Sequence, residues 1–317
     1  MGSSPMDDVG VLIAARSAAA TIGRAVASAL VQPAVSEVVV VDDGSADDTL
    51  AAAWRHDDGT GRLRLHSLGG NFGPATARNQ GLALGRAAIV AVLDADDHFL
   101  PGRIAAVLAQ AGTAWDFAAD GMVMRRDGEA PGAGAAAGER RHDFRARVGG
   151  DMLTAEGFIA GNISRPGRPR QELGFIKPLI RRAFLERTGL RYNARLRLGE
   201  DFALYAEALL LGARFRLVPG CGYVAAWRDD SISARHDAAD LRNLAEASLG
   251  LARLAGITPA QRAAVLLHAR SVLRKADYQA ALELKQQRRF LELAGFLSWN
   301  MRSVPYMVGQ SIRARIS

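Results

Sequence analysis

The chain of 317 residues has a single cysteine, Cys221, so no intramolecular disulfide can form and a bridge-stapled scaffold is excluded. It has no run approaching eighteen uninterrupted apolar residues, which excludes an apolar spanning helix. Nor does a charged segment followed by a short apolar one open it. Together these absences favour a reducing, cytoplasmic location. Lysine is nearly missing: of forty cationic side chains, only Lys177, Lys275 and Lys285 are lysines. With abundant alanine beside it, this reads as a composition bias, so the count of arginines says little by itself. The first strand-like run, Val9 to Ala14, also lacks what nucleotide-binding turns often carry. Ile13-Ala14-Ala15-Arg16-Ser17 contains neither G-x-G-x-x-G nor G-K-[ST], so a dinucleotide fingerprint and a P-loop are both missing where each must sit. Phosphates are then expected to be held through a metal rather than by a glycine nest.

The net charge of +7 is unevenly distributed. From His236 to Ser317 there are twelve Arg or Lys against six Asp or Glu, and the rest of the chain is close to neutral. No groove-reading or base-stacking motif accompanies that basic excess, so no nucleic-acid partner is expected. The length accommodates one large α/β domain with an appendage.

Strand and helix signals alternate from the start: Val9–Ala14 as a buried strand, Thr21–Leu30 as a helix, Val38–Asp42 as a strand and Asp47–Arg55 as a helix. Leu63–Ser67 and Ala88–Leu93 read as further strands around a helix at Ala75–Gly85 that Gly73-Pro74 opens. This is βαβ order, and the expected fold is an α/β one: a Rossmann-like, mostly parallel central sheet flanked by helices. The divisions expected are 1–116 for nucleotide-sugar binding, 117–235 for the acceptor and the catalytic base, and 236–317 as a helical, basic C-terminal extension. Arg125–Gly150 and Gly161–Arg170 have no sustained periodicity and suggest connections. Helices are expected at Arg181–Arg187 and Asp201–Leu211, and a strand at Phe215–Pro219.

Acidic residues gather at the strand ends. Asp42 and Asp43 close V-V-V-V-D-D-G-S, Asp94 and Asp96 close I-V-A-V-L-D-A-D-D, and Glu200-Asp201 follows later. A parallel sheet presents such ends along its C-terminal edge, where ligands bind. Carboxylates brought together repel unless a hard cation neutralises them, which points to a divalent metal and a phosphorylated ligand. In Asp94-Ala95-Asp96 two carboxylates point the same way around a small residue, so one can ligate a cation and the other a ribose hydroxyl; a capped strand end is the alternative. Helix capping accounts for Ser45 and Asp47 but leaves Asp43 available to a nucleobase. Glu200-Asp201 is either a helix-dipole pair or holds a general base. Arg78 and Asn79 serve nucleotide contact or packing, and His98 joins the metal or is solvated. Trp227 and Arg228 close over a ligand or pack, and Cys221 is structural.

Taken in order, V-D-D-G-S, N-F-G-P-A-T-A-R-N-Q-G at Asn71–Gly81, D-A-D-D and L-G-E-D-F-A-L-Y at Leu198–Tyr205 resemble inverting family 2 glycosyltransferases of the GT-A fold. The likeness runs from about Val9 to Ser233. G-F-I-K-P-L-I-R-R-A-F-L, G-A-R-F-R-L-V-P-G and D-D-S-I-S further resemble enzymes that build succinoglycan-type bacterial exopolysaccharides. The resemblance implies a UDP-sugar donor, UDP-glucose by analogy with that subgroup, with Ala14, Arg16, Asp43, Arg78, Asp94, Ala95 and Asp96 around it. Asp43 would contact uracil, Asp94 the ribose, and Asp96 would ligate Mg²⁺ or Mn²⁺. Asp201 would be the catalytic base, with Glu200, Trp227 and Arg228 on the acceptor or lid side. Members of this family commonly carry Pro-x-Tyr-Asn where this chain has Ala14-Ala15-Arg16-Ser17. Either the Arg16 guanidinium stacks where their aromatic would, or the nucleoside sits differently.

The implied acceptor is a glycan, as on a polyprenyl diphosphate at the cytoplasmic membrane face. In the tail, Phe290-Leu291, Phe296-Leu297, Trp299 and Tyr306-Met307 are interspersed with arginines. This pattern suits either peripheral contact with the inner face of the plasma membrane or packing onto the catalytic domain or a second subunit. Pro305 argues against one continuous interfacial helix. A nucleotidyltransferase and a catalytically silent scaffold of a polysaccharide assembly complex are the competing readings. The first lacks its glycine-rich basic loop. The second has no chemical need to retain Asp43, Asp94, Asp96 and Asp201 together.

Overall fold

A computed structural model describes residues 8–126, 139–164, 171–227, 237–301 and 303–316. The first half runs β1 (Val9–Ala15), α1 (Ile22–Leu30), β2 (Val35–Asp42), α2 (Thr49–Trp54), β3 (Leu63–Ser67), α3 (Pro74–Leu84) and β4 (Ile89–Asp94). These four strands pair in parallel, in the order β3-β2-β1-β4. Val38–Val41 and Ile89–Leu93 are buried on both faces, which is why they read as unbroken apolar runs. Each buried Val, Leu or Ile here stabilises the fold by about 1.5–3 kcal/mol. In α1, Ile22, Ala25, Val26 and Ala29 make the apolar stripe that seals one face. On α3, Gly81 lies so close to β1 that a Cβ there would stand 1.8 Å from Leu12 Cδ1.

The second half comprises β5 (His98–Phe99), α4 (Arg103–Ala111), β6 (Phe117–Arg126), β7 (Arg140–His142), α5 (Phe144–Val148), β8 (Met152–Leu153), α6 (Ala155–Gly161), β9 (Leu179–Arg181), α7 (Arg182–Thr188), α8 (Glu200–Leu210) and β10 (Phe215–Trp227). The sheet continues β4-β9-β6-β10-β5, with β7 on β6 and β8 on β10. β9 runs antiparallel to both neighbours, so the parallel half passes into a mixed half.

Five of these strands, β5 to β9, were not foreseen. β6 contains Asp120-Gly121, which breaks the apolar pattern. The structure buries Asp120 against Arg103, whose Nε donates to it at 2.9 Å, and against the Gly222 N–H at 2.6 Å. β9 is three residues long and finds its place only between β4 and β6. β10 also extends well beyond the expected Phe215–Pro219, its ladder with β6 broken between Leu217 and Tyr223 where Pro219-Gly220 makes a bulge. The expected connection at Arg125–Gly150 carries β7 and α5 in its described part.

Beyond the sheet lie α9 (Ala238–Leu251), α10 (Pro259–Gln286), α11 (Phe290–Trp299) and α12 (Val304–Ile316). Thr258 and Gln261 form a reciprocal capping box at the start of α10. Val265, His268, Ala269, Val272, Ala276 and Ala280 then form one buried stripe along it. The His268 ring stacks on Phe202 of α8, with centroids 4.0 Å apart. α9 presses on the turn before α8, where Gly199 has a positive φ and an added Cβ would meet Leu244 at 2.9 Å. Helices α9 and α10 are therefore packed against α8 and the turn before it. Pro305 falls in the first turn of α12, a separate helix from α11.

Candidate functional site

At the end of β2 the two aspartates divide their work. Asp42 accepts from the Ser45 N–H at 3.3 Å and from the Ser45 hydroxyl, which closes the turn. Asp43 accepts from the Phe72 N–H at 2.6 Å and the Gly73 N–H at 2.9 Å, tying the mouth of β2 to the start of α3. The Asn71 amide links Asp43, 3.2 Å away, to the Arg16 guanidinium at 3.1 Å. Ser45, Asp47 and Thr49 in turn bond the N–H groups of Ser17, Ala19 and Ala18, so the first two strand-to-helix loops brace each other.

The end of β4 is clamped from the far side of the sheet. Tyr223 on β10 accepts from the Asp94 N–H at 3.1 Å and donates to Asp97 at 2.6 Å, and the Ala226 N–H bonds the other Asp97 oxygen at 2.8 Å. Burial, with Asp94 and Asp96 close by, pushes the Asp97 carboxyl well above the usual carboxylate range. Arg24 donates to the Asp96 carbonyl oxygen at 2.8 Å, and Asp96 itself is partly exposed. His98 is half-buried, and its desolvation, helped by Arg24 and Arg125, lowers its pKa to about 4.

Between the two halves sits a knot of ion pairs. Arg78, buried on α3, donates to Asp94 at 2.8 Å, bonds Glu200 more tightly still and lies 3.5 Å from Asp201 Oδ1. Lys177 Nζ stands 2.7 Å from Asp94 Oδ2 and 2.8 Å from Asp201 Oδ2, bridging the strand end to the helix start. Burial raises the cost of ionising Asp94, yet Lys177 and Arg78 hold it well below the usual carboxylate range. Burial likewise opposes the Lys177 charge, which Asp201 and Asp94 more than offset, so that ammonium stays charged. Glu200 is pushed up by burial despite Arg78. Asp201 Oδ2 is thus held, while Asp201 Oδ1 is buried and makes no hydrogen bond.

Ala14, Arg16, Asp43, Arg78, Asp94, Glu200 and Asp201 all line one cavity of about 590 Å³. Ala95 is buried between the Asp94 and Asp96 positions and does not reach that cavity. Trp227 ends β10, and Arg228 and the D-D-S-I-S segment lie outside the described residues. Asn79 is fully occupied elsewhere, its amide pairing with both the N–H and the C=O of Tyr192, at 2.9 and 2.8 Å. That clasp brings the Tyr192 ring against Arg78.

Sequence reasoning missed Lys177 and Tyr223 as site residues. A signal for Lys177 existed: in a chain that nearly always uses arginine, a lysine at the centre of G-F-I-K-P-L is an exception. A compact ammonium fits between two carboxylates where a guanidinium fork would not. Its place is set by Arg103, which donates to the Lys177 carbonyl at 2.7 Å while paired with Asp120.

Among the described residues, no three His, Cys, Asp or Glu side chains form a group that could hold a metal ion unaided. The residues nonetheless fit a Mg²⁺ or Mn²⁺ site of the shared kind, in which one or two carboxylates act with substrate phosphates and water. A partly exposed carboxylate, Asp96, stands two residues past the end of β4, outside the lining of that cavity.

Residues 10–151 match the sequence pattern described as Glycosyl transferase family 2. The chain is 43% identical over 309 residues to the succinoglycan biosynthesis protein ExoU of Rhizobium meliloti (strain 1021), across 98% of this chain and 88% of that protein. Its structure is similar to residues 1–349 of S. aureus TarS in complex with UDP-GlcNAc, with a TM-score of 0.63 and 18% identity over 92% of this chain and 80% of that one. It is also similar to the mannosyltransferase PcManGT of Pyrobaculum calidifontis in complex with GDP-Man and Mn²⁺, with a TM-score of 0.57 and 18% identity over 98% and 86% of the two chains. At such identities these two structures share the fold, an α/β GT-A architecture followed by a helical C-terminal region.

Proposed function

This chain belongs to glycosyl transferase family 2, and on that premise we propose that it moves a hexose from a UDP-sugar to a hydroxyl of a glycan acceptor, with inversion, in the synthesis of a succinoglycan-type exopolysaccharide. Glucose is the first candidate for the sugar, and a lipid-linked oligosaccharide for the acceptor. The observation that carries the reading is the state of Asp201: one oxygen is fixed by Lys177 and the other makes no hydrogen bond, in the same cavity as Asp43 and Asp94.

In this mechanism Asp43 and Arg16 orient the uracil, and Asp94, locked by Arg78 and Lys177, meets the ribose. The acceptor hydroxyl points at Asp201 Oδ1. Its oxygen attacks the anomeric carbon from the face opposite the diphosphate while its proton passes to Asp201. The bond to the diphosphate breaks with its electron pair leaving on UDP, so one displacement inverts the anomeric carbon and needs no covalent enzyme intermediate. A Mg²⁺ or Mn²⁺ ion held with Asp96 would supply neutralisation of the diphosphate charge. Lys177 joins the two sides: it touches both the carboxylate proposed for the donor and the one proposed for the acceptor.

Calorimetric titration with UDP-glucose, UDP-galactose, UDP-N-acetylglucosamine and GDP-mannose, each with and without Mn²⁺, tests this. Metal-dependent binding of one UDP-sugar is expected; binding of none of them would overturn the reading.

The far end of the chain supports peripheral membrane contact. No helix of the described residues is long and apolar enough to cross a membrane. Yet Leu291 and Trp299 are 91% and 90% exposed, Phe290 and Met301 lie open beside them, and Arg288 and Arg289 precede α11. An apolar edge beside arginines is the chemistry that enters an anionic lipid interface. This would bring the enzyme to a lipid-linked acceptor at the inner face of the plasma membrane. Truncation before residue 285 is expected to release the protein from anionic vesicles.

A further inference from the structure

The cavity does not end at Asp201. It continues past Phe175, between the short 3₁₀ turn Leu173–Phe175 and the helix pair α9 and α10, where Asp240, Leu241, Ser271 and Lys275 line it. Those helices lie wholly outside residues 10–151, which match the family pattern, so this half of the cavity belongs to the chain's own C-terminal extension.

Its construction is rigid. His268 is buried, stacked on Phe202 and bonded to Ser248 at 3.0 Å, which fixes α10 to α9 and to the helix that carries Asp201. Ser271, Val272 and Lys275 follow His268 at helical spacing, so the same face of α10 passes from the packed contact into the cavity. On the opposite wall, Asn162 accepts from the Gly174 N–H at 2.9 Å and donates to the Phe158 carbonyl at 2.9 Å. Both ends of that amide are used to hold the turn that presents Phe175. Phe175 is 39% exposed, although it sits only two residues from the buried Lys177.

An aromatic face left open beside a proton acceptor, across from a wall carrying hydroxyl, carboxylate and ammonium groups, matches one ligand chemistry closely. A pyranose ring has an apolar C–H face that lies on an aromatic ring and a rim of hydroxyls that need both donors and acceptors. Together, Asp240 and Lys275 bring no net charge, which suits a neutral sugar.

We propose that this distal chamber is the acceptor subsite, in which Phe175 carries the C–H face of a neutral pyranose while Asp240, Ser271 and Lys275 of the C-terminal helices take its hydroxyls. This rests on the glycosyltransferase reading. The helical extension then selects the acceptor as well as contacting a surface, and Phe175 sets the depth at which the sugar hydroxyl meets Asp201.

The test separates donor from acceptor chemistry. The acceptor used is the lipid-linked glycan fraction extracted from a strain deleted for this chain. The donor side is read by calorimetric UDP binding and by slow hydrolysis of the UDP-sugar by water. With Phe175→Ala, the acceptor KM is expected to rise about tenfold, as loss of one aromatic contact would do, with UDP binding and hydrolysis unchanged; Phe175→Tyr is expected to restore the KM. Ser271→Trp, which fills the chamber from the opposite wall, is expected to abolish transfer while hydrolysis continues. An unchanged acceptor KM in Phe175→Ala, or normal transfer by Ser271→Trp, overturns the subsite. A wild-type protein that neither binds nor hydrolyses a UDP-sugar instead overturns the reading on which the subsite rests.

Discussion

Along the β2 edge of the cavity the carboxylates are held by backbone: Asp42 and Asp43 accept from N–H groups of Ser45, Phe72 and Gly73. Across the cavity, Glu200 and Asp201 are held by charges on long side chains, Arg78 and Lys177, that arrive from other elements. Backbone donors are fixed by the turns that carry them and survive most single substitutions. An ion-pair knot has no such reserve, because removing one cation leaves several buried carboxylates with too little compensation. The near edge should therefore be robust and the far edge, which carries the proposed base Asp201, fragile.

The largest effect that would sharpen this contrast is on chemistry. Asp201→Asn is expected to reduce transfer by about 10²–10⁴-fold while UDP binding stays within a few-fold, measured by turnover and calorimetry; an equal loss of binding would mean that the residue only holds the fold. Arg78→Met comes next. It strands Asp94, Glu200 and Asp201 with Lys177 alone and is expected to cost about 3–5 kcal/mol in denaturant unfolding. A loss as small as that from Asp43→Asn would break the comparison.

Lys177→Met should show its effect through pH. Asp94 has a folded pKa below its unfolded one, so its contribution is present above about pH 4 and fades as the pH falls through the folded value. The Tm deficit of Lys177→Met is thus expected to be largest near neutrality and to shrink on acidification. A deficit constant with pH would mean that the ammonium acts by packing alone. On the near side, Gly81→Ala forces a methyl against Leu12 and is expected to cost about 1–3 kcal/mol without changing the acceptor KM. The smallest effect is at His142, whose pKa burial and then Arg147 lower. Stability should therefore rise as the pH climbs toward about 6.5, and His142→Asn should flatten that slope.

The same division governs what could be read before the structure was seen. Strands β1, β2 and β4 are legible because each is a buried apolar run ended by a change of residue type, and β3, in which only Leu63 is fully buried, is legible from its place between two helices. β6 hides because Asp120 interrupts it, and that aspartate is tolerable only because Arg103 arrives from α4. β9, of three residues, has no signal of its own. In the site, Asp43, Asp94 and Asp201 stand at element ends that the motifs mark. Lys177 and Tyr223 are reached only by following side chains across the sheet.

The sequence by itself determined the parallel half of the sheet, the acidic residues along its edge and the family to which the chain belongs, because these depend on local periodicity and short spacings. Tertiary structure alone decided that Arg78 and Lys177 bind the carboxylates into one knot, that Asn79 is spent on Tyr192, and that α9 and α10 wall the cavity. Those outcomes are contacts between residues up to about 120 positions apart, and their free energy exists only once burial has removed the water that would otherwise screen them.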